Sequence, residues 1–250
     1  MNLFSGLGRD ASIKDDERDS VGGSRILESD VYTFKVDVAF MSVATSEAVA
    51  LNLHLTDEAT DKQLRTQLWV KSGKLKGGKN TSTNSNGDVR YLPGFLAADA
   101  LCLLTLGETL ADQEKYMKKL AVKVYDFDEK KDVSKQVDAI DTLTGVTIKA
   151  GVIKRIVDIN EKDDNGNWVP SGRTREVNEI DKFFRESDNF TVPEIKSQAD
   201  AAVFIDTWLA KWKGKEDNRA KGAVEGANQA SQSAGTTAPA STTGSLFKNK

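Results

Sequence analysis

Three runs decide the fold: Tyr32-Thr-Phe34-Lys-Val36-Asp-Val38-Ala-Phe40, then Val49-Ala-Leu51-Asn-Leu53-His-Leu55, then Leu64-Arg-Thr66-Gln-Leu68-Trp-Val70. In each run apolar and polar side chains alternate with a period of two, so one face enters a core and the segment reads as a strand. The first strand is expected to present Tyr32, Phe34, Val36, Val38 and Phe40 on a single apolar face. Three such strands with short connections predict an antiparallel meander. The face of the third strand turned from the core carries Gln63, Arg65, Gln67, Trp69 and Lys71.

Downstream the period changes. Phe95, Leu96, Ala100, Leu101, Leu103 and Leu104 recur with helical spacing after Pro93, and a second short helix is expected near Val137, Ile140 and Leu143. Val146, Ile148, Ala150 and Val152 then read as a fourth strand, with Gly151 as a bend or bulge. A fifth, across the turn signal at 163–166, runs from about Arg173 to Ile180. Three strands, a helix and two strands is the chain order of an OB-fold, a partly open Greek-key barrel that binds oligonucleotides on its second and third strands. The fold expected is therefore mainly β: a five-stranded, OB-fold-like antiparallel barrel with a helical insertion between the third and fourth strands.

The ends read differently. Thr191 and Glu194 form a capping-box pair with Pro193 in the first turn, which starts a C-terminal helix at 191–214. Phe204, Trp208 and Trp212 line one face of that helix and suit docking on the protein's own core. Residues 215–250 are rich in Ala, Gly, Ser and Thr, and residues 1–25 are acidic and contain Gly. Neither segment has apolar area to offset roughly 1–2 kcal/mol of chain entropy per residue. The expected organisation is a flexible segment at 1–25, a nucleic-acid-binding domain at 26–190, the helix at 191–214 and a disordered tail at 215–250.

Composition narrows the chemistry. The 250 residues hold 35 Lys plus Arg against 38 Asp plus Glu, for a net charge of -3, with one Cys and one His. A structural zinc site usually needs four Cys/His positions and a catalytic one three protein ligands, and an intrachain disulfide needs two cysteines, so with one Cys and one His no metal or disulfide is expected, nor any cofactor. His54 lies inside an alternating strand and reads as a strand histidine rather than a catalytic base. The longest apolar stretch, 95–106, is far short of the ~20 residues of a spanning helix, so a membrane partner is not expected.

Against the negative total, residues 71–91 carry five basic residues (Lys71, Lys74, Lys76, Lys79, Arg90) and one acid, Asp88, a local charge of +4. Trp69 and Tyr91 bracket them. A positive groove with rings on which bases stack is how single-stranded nucleic acid is held without sequence readout. The hairpin between the last two strands adds Trp168, Arg173 and Arg175, which in an OB-fold flank the same groove. The candidate nucleic-acid-binding residues are thus Arg65, Trp69, Lys71, Lys74, Lys76, Lys79, Arg90, Tyr91, Trp168, Arg173 and Arg175. The bland alternative is a solvated Lys/Gly turn with Trp69 packed beneath a neighbouring element.

Two rival motifs touch these segments. Residues 73–80 match a phosphate loop except that Asn80 replaces the Ser or Thr, and a turn sequence with an Asn86-Gly87 hairpin signal follows where the motif needs a helix. Residues 158–166 superficially suit a calcium loop, but Gly172 stands where a bidentate Glu belongs, so a hairpin loop is the better reading.

The segments Ile26-Leu-Glu-Ser-Asp-Val-Tyr32, Leu51-Asn-Leu-His-Leu55, Trp69-Val-Lys-Ser-Gly-Lys-Leu-Lys-Gly-Gly-Lys79, Tyr91-Leu-Pro-Gly-Phe95 and Gly166-Asn-Trp-Val-Pro-Ser-Gly172, with Glu176-Val-Asn-Glu-Ile180, together resemble single-stranded DNA-binding proteins of tailed bacteriophages. The resemblance covers residues 3–212. It implies a non-enzymatic OB-fold protein that coats single-stranded DNA during phage replication and recombination, in the cytoplasm of the infected host cell, with phage replication proteins as partners. One departure stands out: many such proteins end in an acidic tail with a terminal aromatic, whereas this chain ends Phe247-Lys-Asn-Lys250. The alternative from a different class is a scaffolding protein whose aromatic helix around Trp208 docks on a partner and whose tail is a tether.

Overall fold

The computed structural model describes residues 26–126, 131–164 and 166–221. Its elements are β1 (Asp30–Val43), β2 (Val49–Asp57), β3 (Gln63–Lys71), β4 (Thr81–Thr83), β5 (Val89–Tyr91), α1 (Pro93–Leu106), β6 (Met117–Asp126), β7 (Lys131–Ile140), β8 (Thr147–Lys162), β9 (Trp168–Phe184), α2 (Val192–Lys196), α3 (Phe204–Trp212) and β10 (Glu216–Asn218). The protein is mainly β. Its strands form an antiparallel sheet in the order β10-β8-β1-β2-β3, with β9 paired to β8 and β7 to β1, and no closed barrel forms among the described residues. Two compact units divide the described residues: one comprises 26–155 and 177–217, the other 156–176 and 218–221.

In the first unit the inner sheet face is built by the alternation read above. Leu51, Leu53 and Leu55 on β2 and Leu64, Leu68 and Val70 on β3 are buried together with Phe34, Val36, Ile148 and Ala150. Each such side chain contributes roughly 1.5–3 kcal/mol when withdrawn from water. Helix α1 covers this face with Ala98, Leu101, Cys102 and Leu104. Burial pushes the Cys102 thiol up to about 12.

The single apolar face expected for β1 does not persist. Val36 pairs with Leu55 but Val38 pairs with His54, so Asp37 is an extra residue and the register shifts by one. A bulge of this kind reverses the faces beyond it. Ala39 and Met41 take over the inner face, while Val38 and Phe40 turn to the other side. There they are covered by Val122 and Ala139 of the β6–β7 ribbon, with Val124 and Val137 alongside. The ribbon replaces the second short helix expected near Val137: that segment is β7, and only 141–143 turn as a 3-10 helix. The insertion between β3 and β8 thus holds α1 together with two hairpins, β4–β5 and β6–β7, and is not simply helical.

Gly151 is neither bend nor bulge. A Cβ there would lie 2.8 Å from Trp208 Cε2 and Cζ2, so its missing side chain makes room for the indole on β8. Trp208 is 3% exposed, packs among Ile153 and Phe184, and donates from Nε1 to Asp181 Oδ2 at 2.8 Å. The single helix expected at 191–214 is two, α2 and α3. Glu194 joins them: its carboxylate completes the capping box with the Thr191 N–H (2.9 Å) and hydroxyl (2.8 Å), and accepts from Val203 N (2.9 Å) and Phe204 N (2.8 Å) at the start of α3. Residues 216–218, expected to belong to a disordered tail, instead form β10, which pairs with β8, and Asp217 lies 2.9 Å from buried Arg155. Residues 1–25 and 222–250, assigned to loose ends from sequence, lie outside the described residues.

Candidate nucleic-acid interface

The outer face of β3 presents Arg65, Gln67, Trp69 and Lys71, as the alternation requires. Their environments differ. Arg65 forms a two-pronged pair with Asp132 of β7, at 3.1 and 3.3 Å, and these hydrogen bonds hold the Asp132 carboxyl below its usual range. The guanidinium therefore already has an anionic partner. Gln67 donates to Asn52 Oδ1 at 3.1 Å. His54, half-buried, meets the Phe40 ring edge-on at 5.7 Å, and burial together with Arg65 lowers its pKa, so it is a neutral strand histidine at pH 7.

Beyond Lys71 the chain forms a pinned loop instead of a loose turn. Gly73 lies so close to Ser46 that a Cβ would fall 2.6 Å from the Ser46 carbonyl oxygen, and Lys74 N donates to that oxygen at 2.9 Å. Residues 74–76 make one 3-10 turn, followed by Gly77 and Gly78 in the left-handed region at φ 86° and 60°. Only glycine takes two such steps without strain. Ser72 N donates to Lys79 O at 2.8 Å, and Lys79 N to the Ser72 hydroxyl at 3.0 Å, closing the base of the loop. Its lysines thus project from a fixed frame. Lys71, Lys76 and Lys79 have no ion-pair partner among the described residues, while Lys74 lies 3.4 Å from Glu47 and Arg90 3.5 Å from Asp88, both exposed pairs. Exposed pairs of this kind are worth about 0–1 kcal/mol and exchange readily for phosphate.

The phosphate-loop reading fails on geometry. No helix starts at Lys79; β4 begins at Thr81 and pairs with β5 across a turn in which Asn84 Oδ1 accepts from Asn86 N (3.0 Å) and Asp88 N (2.9 Å). Gly87 sits at φ 85°, as the hairpin signal required.

Hairpin and helix bring the second aromatic to the end of β3. Thr81 pairs with Tyr91, Leu92 N donates to Asn80 O at 2.8 Å, and the Tyr91 and Phe95 rings stand 5.2 Å apart. A Cβ on Gly94 would come within 2.4 Å of the Trp69 carbonyl oxygen, so α1 starts directly against the backbone of Trp69. Trp69 is 44% and Tyr91 53% exposed, so the reading in which Trp69 is packed beneath a neighbour does not hold. Two clefts flank the loop. One of about 460 Å³ is lined by Val70, Lys71, Gly78, Lys79, Asn80, Thr81, Phe95, Leu110 and Ala111; the other, of about 590 Å³, by Val43, Glu47, Val49, Lys71, Lys74, Gly77 and Gly78. Phe95, Asn80 and Leu110 are not among the binding residues expected from sequence, where Asn80 figures only as the mismatch to a phosphate loop. Phe95, read as part of the apolar face of the helix, is half-buried: it packs against the core and also lines the cleft.

The remaining candidates, Trp168, Arg173 and Arg175, belong to the second unit. Trp168 is 68% exposed with Lys162 Nζ 5.5 Å from its ring centre; Arg173 pairs with Glu161, and Arg175 has no ion pair among the described residues. Residues 156–176 hold three basic and five acidic side chains, a charge of -2, opposite in sign to residues 71–91. The loop between β8 and β9 is a hairpin: Asp163 Oδ1 accepts from Asn167 N at 2.8 Å and Gly166 N donates to Asp163 O at 2.9 Å. Trp208 of α3 is buried in the first unit's own core with Ile153 and Phe184, as the sequence suggested for a face docked on the protein itself, and Phe204 and Trp212 are partly buried beside it. Among the described residues no group of three or more His, Cys, Asp or Glu is placed to hold a metal, and no helix is long and apolar enough to cross a membrane. No family model, curated protein or solved structure matches the chain.

Proposed function

We propose that this chain is a sequence-tolerant single-stranded DNA-binding protein, acting without bond chemistry, that coats DNA strands in phage replication and recombination. One observation carries the reading: unpaired Lys71, Lys76 and Lys79 stand on a pinned loop beside the exposed rings of Trp69 and Tyr91. Cations at fixed positions neutralise phosphates, and neighbouring rings accept bases by stacking, which is indifferent to base identity. The sheet order supports an OB-fold-like frame. Strands β8-β1-β2-β3 lie in the spatial order fourth, first, second, third, which is a Greek key, and the fifth, β9, adds to β8. The lysine loop follows directly from the third of these strands, the region where such barrels take oligonucleotides.

The test is binding of labelled oligo-dT and of a duplex of equal length across a salt series. Single strands lose about 0.7 in log K per log salt for each phosphate contacted, so three to five cations predict a slope of about -2 to -3.5. Binding of the two DNAs with equal affinity would sink the proposal.

A further inference from the structure

We propose that the cleft of about 460 Å³ beside the lysine loop takes one unstacked nucleobase of the bound strand, whose phosphate rests on Lys71 and Lys79. This inference rests on the single-strand reading above. The volume lies within the range of small-ligand pockets. Its lining includes the apolar side chains of Val70, Phe95 and Leu110, which suit the face of a planar ring. Half-buried Asn80 and Thr81 stand at its side, and neither the Asn80 amide nor the Thr81 hydroxyl is engaged by another described residue. An amide offers both donor and acceptor, which is what the edge of a splayed base requires.

Charge distinguishes this cleft from its neighbour across the loop. Both share Lys71 and Gly78, but the larger cleft includes Glu47, whose carboxylate lies 3.4 Å from Lys74. A phosphate placed there meets an anion. The smaller cleft is lined by no carboxylate and includes Lys71 and Lys79, so base and phosphate are better accommodated together on that side.

The experiment compares the full chain with Ala111→Leu, which fills the cleft from an exposed position without adding a ring or charge, and with Asn80→Ala. Each is titrated with oligo-dT and with an abasic oligonucleotide of equal length, which keeps the phosphates and lacks the bases. Ala111→Leu is expected to weaken oligo-dT binding by about 5- to 150-fold, the equivalent of one stacked base, and to leave abasic binding unchanged. Asn80→Ala should lower oligo-dT affinity selectively and keep the native melting temperature, so it decides the matter if Ala111→Leu folds poorly. Equal losses on both oligonucleotides, or none on either, overturn the base cleft while the single-strand reading stands. If the unmodified chain binds neither oligonucleotide, the reading and the inference fall together.

Discussion

Replacing Lys71 and Lys79 together by Ala perturbs the interface at two cations that have no ion-pair partner among the described residues and that border the same cleft. Each phosphate contact on a single strand contributes about 0.7 to the slope of log K against log salt, so the pair contributes about 1.4. At 0.1 M salt, one decade below 1 M, that amounts to about a 25-fold loss of affinity, shrinking toward none at 1 M. The assay is fluorescence anisotropy of labelled oligo-dT from 0.05 to 1 M salt on both proteins, an interval chosen to resolve a slope change of about 1.4. Both side chains are exposed, so the fold should be intact, and circular dichroism checks that. The contrast is Arg65→Ala, which removes a cation already paired two-pronged with Asp132 and should change the slope far less. An affinity loss that persists undiminished at 1 M salt would contradict phosphate contact by these lysines, since it would point to lost structure instead of lost counterion release. So would a double variant that matches the parent at every salt concentration.

Four further outcomes follow from named contacts. Trp69→Ala should lower oligo-dT affinity by about 5- to 150-fold with an unchanged salt slope, because a ring supplies stacking and no charge; the same titrations measure it. Asp132→Asn should raise affinity and steepen the slope, by about 0.7 if Arg65 gains one phosphate, and no steepening would show that Arg65 does not face the strand. Gly151→Ala should destabilise the fold by about 1–3 kcal/mol in urea unfolding, since the added Cβ meets Trp208 at 2.8 Å. Glu194 has an explicit pH signature. Burial opposes its ionisation, but hydrogen bonds from Thr191, Phe204 and Val203 together outweigh that and hold its pKa below the ordinary 4.5. Its contribution is therefore present above about pH 4.5 and lost as pH falls through the depressed folded value. Glu194→Gln should lower stability at pH 7 and flatten the acid limb of the stability curve, whereas an unaltered acid limb would contradict the role assigned to this carboxylate.

Particular residues show how far the chain could be read unaided. Leu51, Leu53 and Leu55, and Leu64, Leu68 and Val70, announce β2 and β3 because one side of each is buried along its whole length. The Asn86-Gly87 turn and the Thr191–Glu194 box are equally legible, since each satisfies specific backbone groups within a few residues. The bulge at Asp37 is not. Val36, Val38 and Phe40 keep an unbroken period of two, and the register shift arises from pairing with β2 across the sheet. The β6–β7 ribbon escapes for a related reason: its buried residues, Val122, Ala139 and Ile140, are few among lysines and aspartates, and what the first two cover is the face that the bulge has exposed. Gly151 owes its place to Trp208, 57 residues away, a contact no local pattern reports. For the interface, the basic loop and its bracketing rings were visible as composition. The neutralisation of Arg65 by Asp132, 67 residues on, and the cleft beside Phe95 depend on tertiary neighbours.

The central claim is preference for single-stranded DNA through this loop and its rings. It is tested most directly by competition: labelled oligo-dT bound to the full chain at 0.1 M salt, challenged with unlabelled single strand or with duplex of the same length. Single strand is expected to displace the label at far lower concentration than duplex, and the preference to shrink in the Trp69→Ala, Lys71→Ala, Lys79→Ala triple variant. Displacement by duplex as readily as by single strand, or a triple variant with undiminished preference, would contradict that claim.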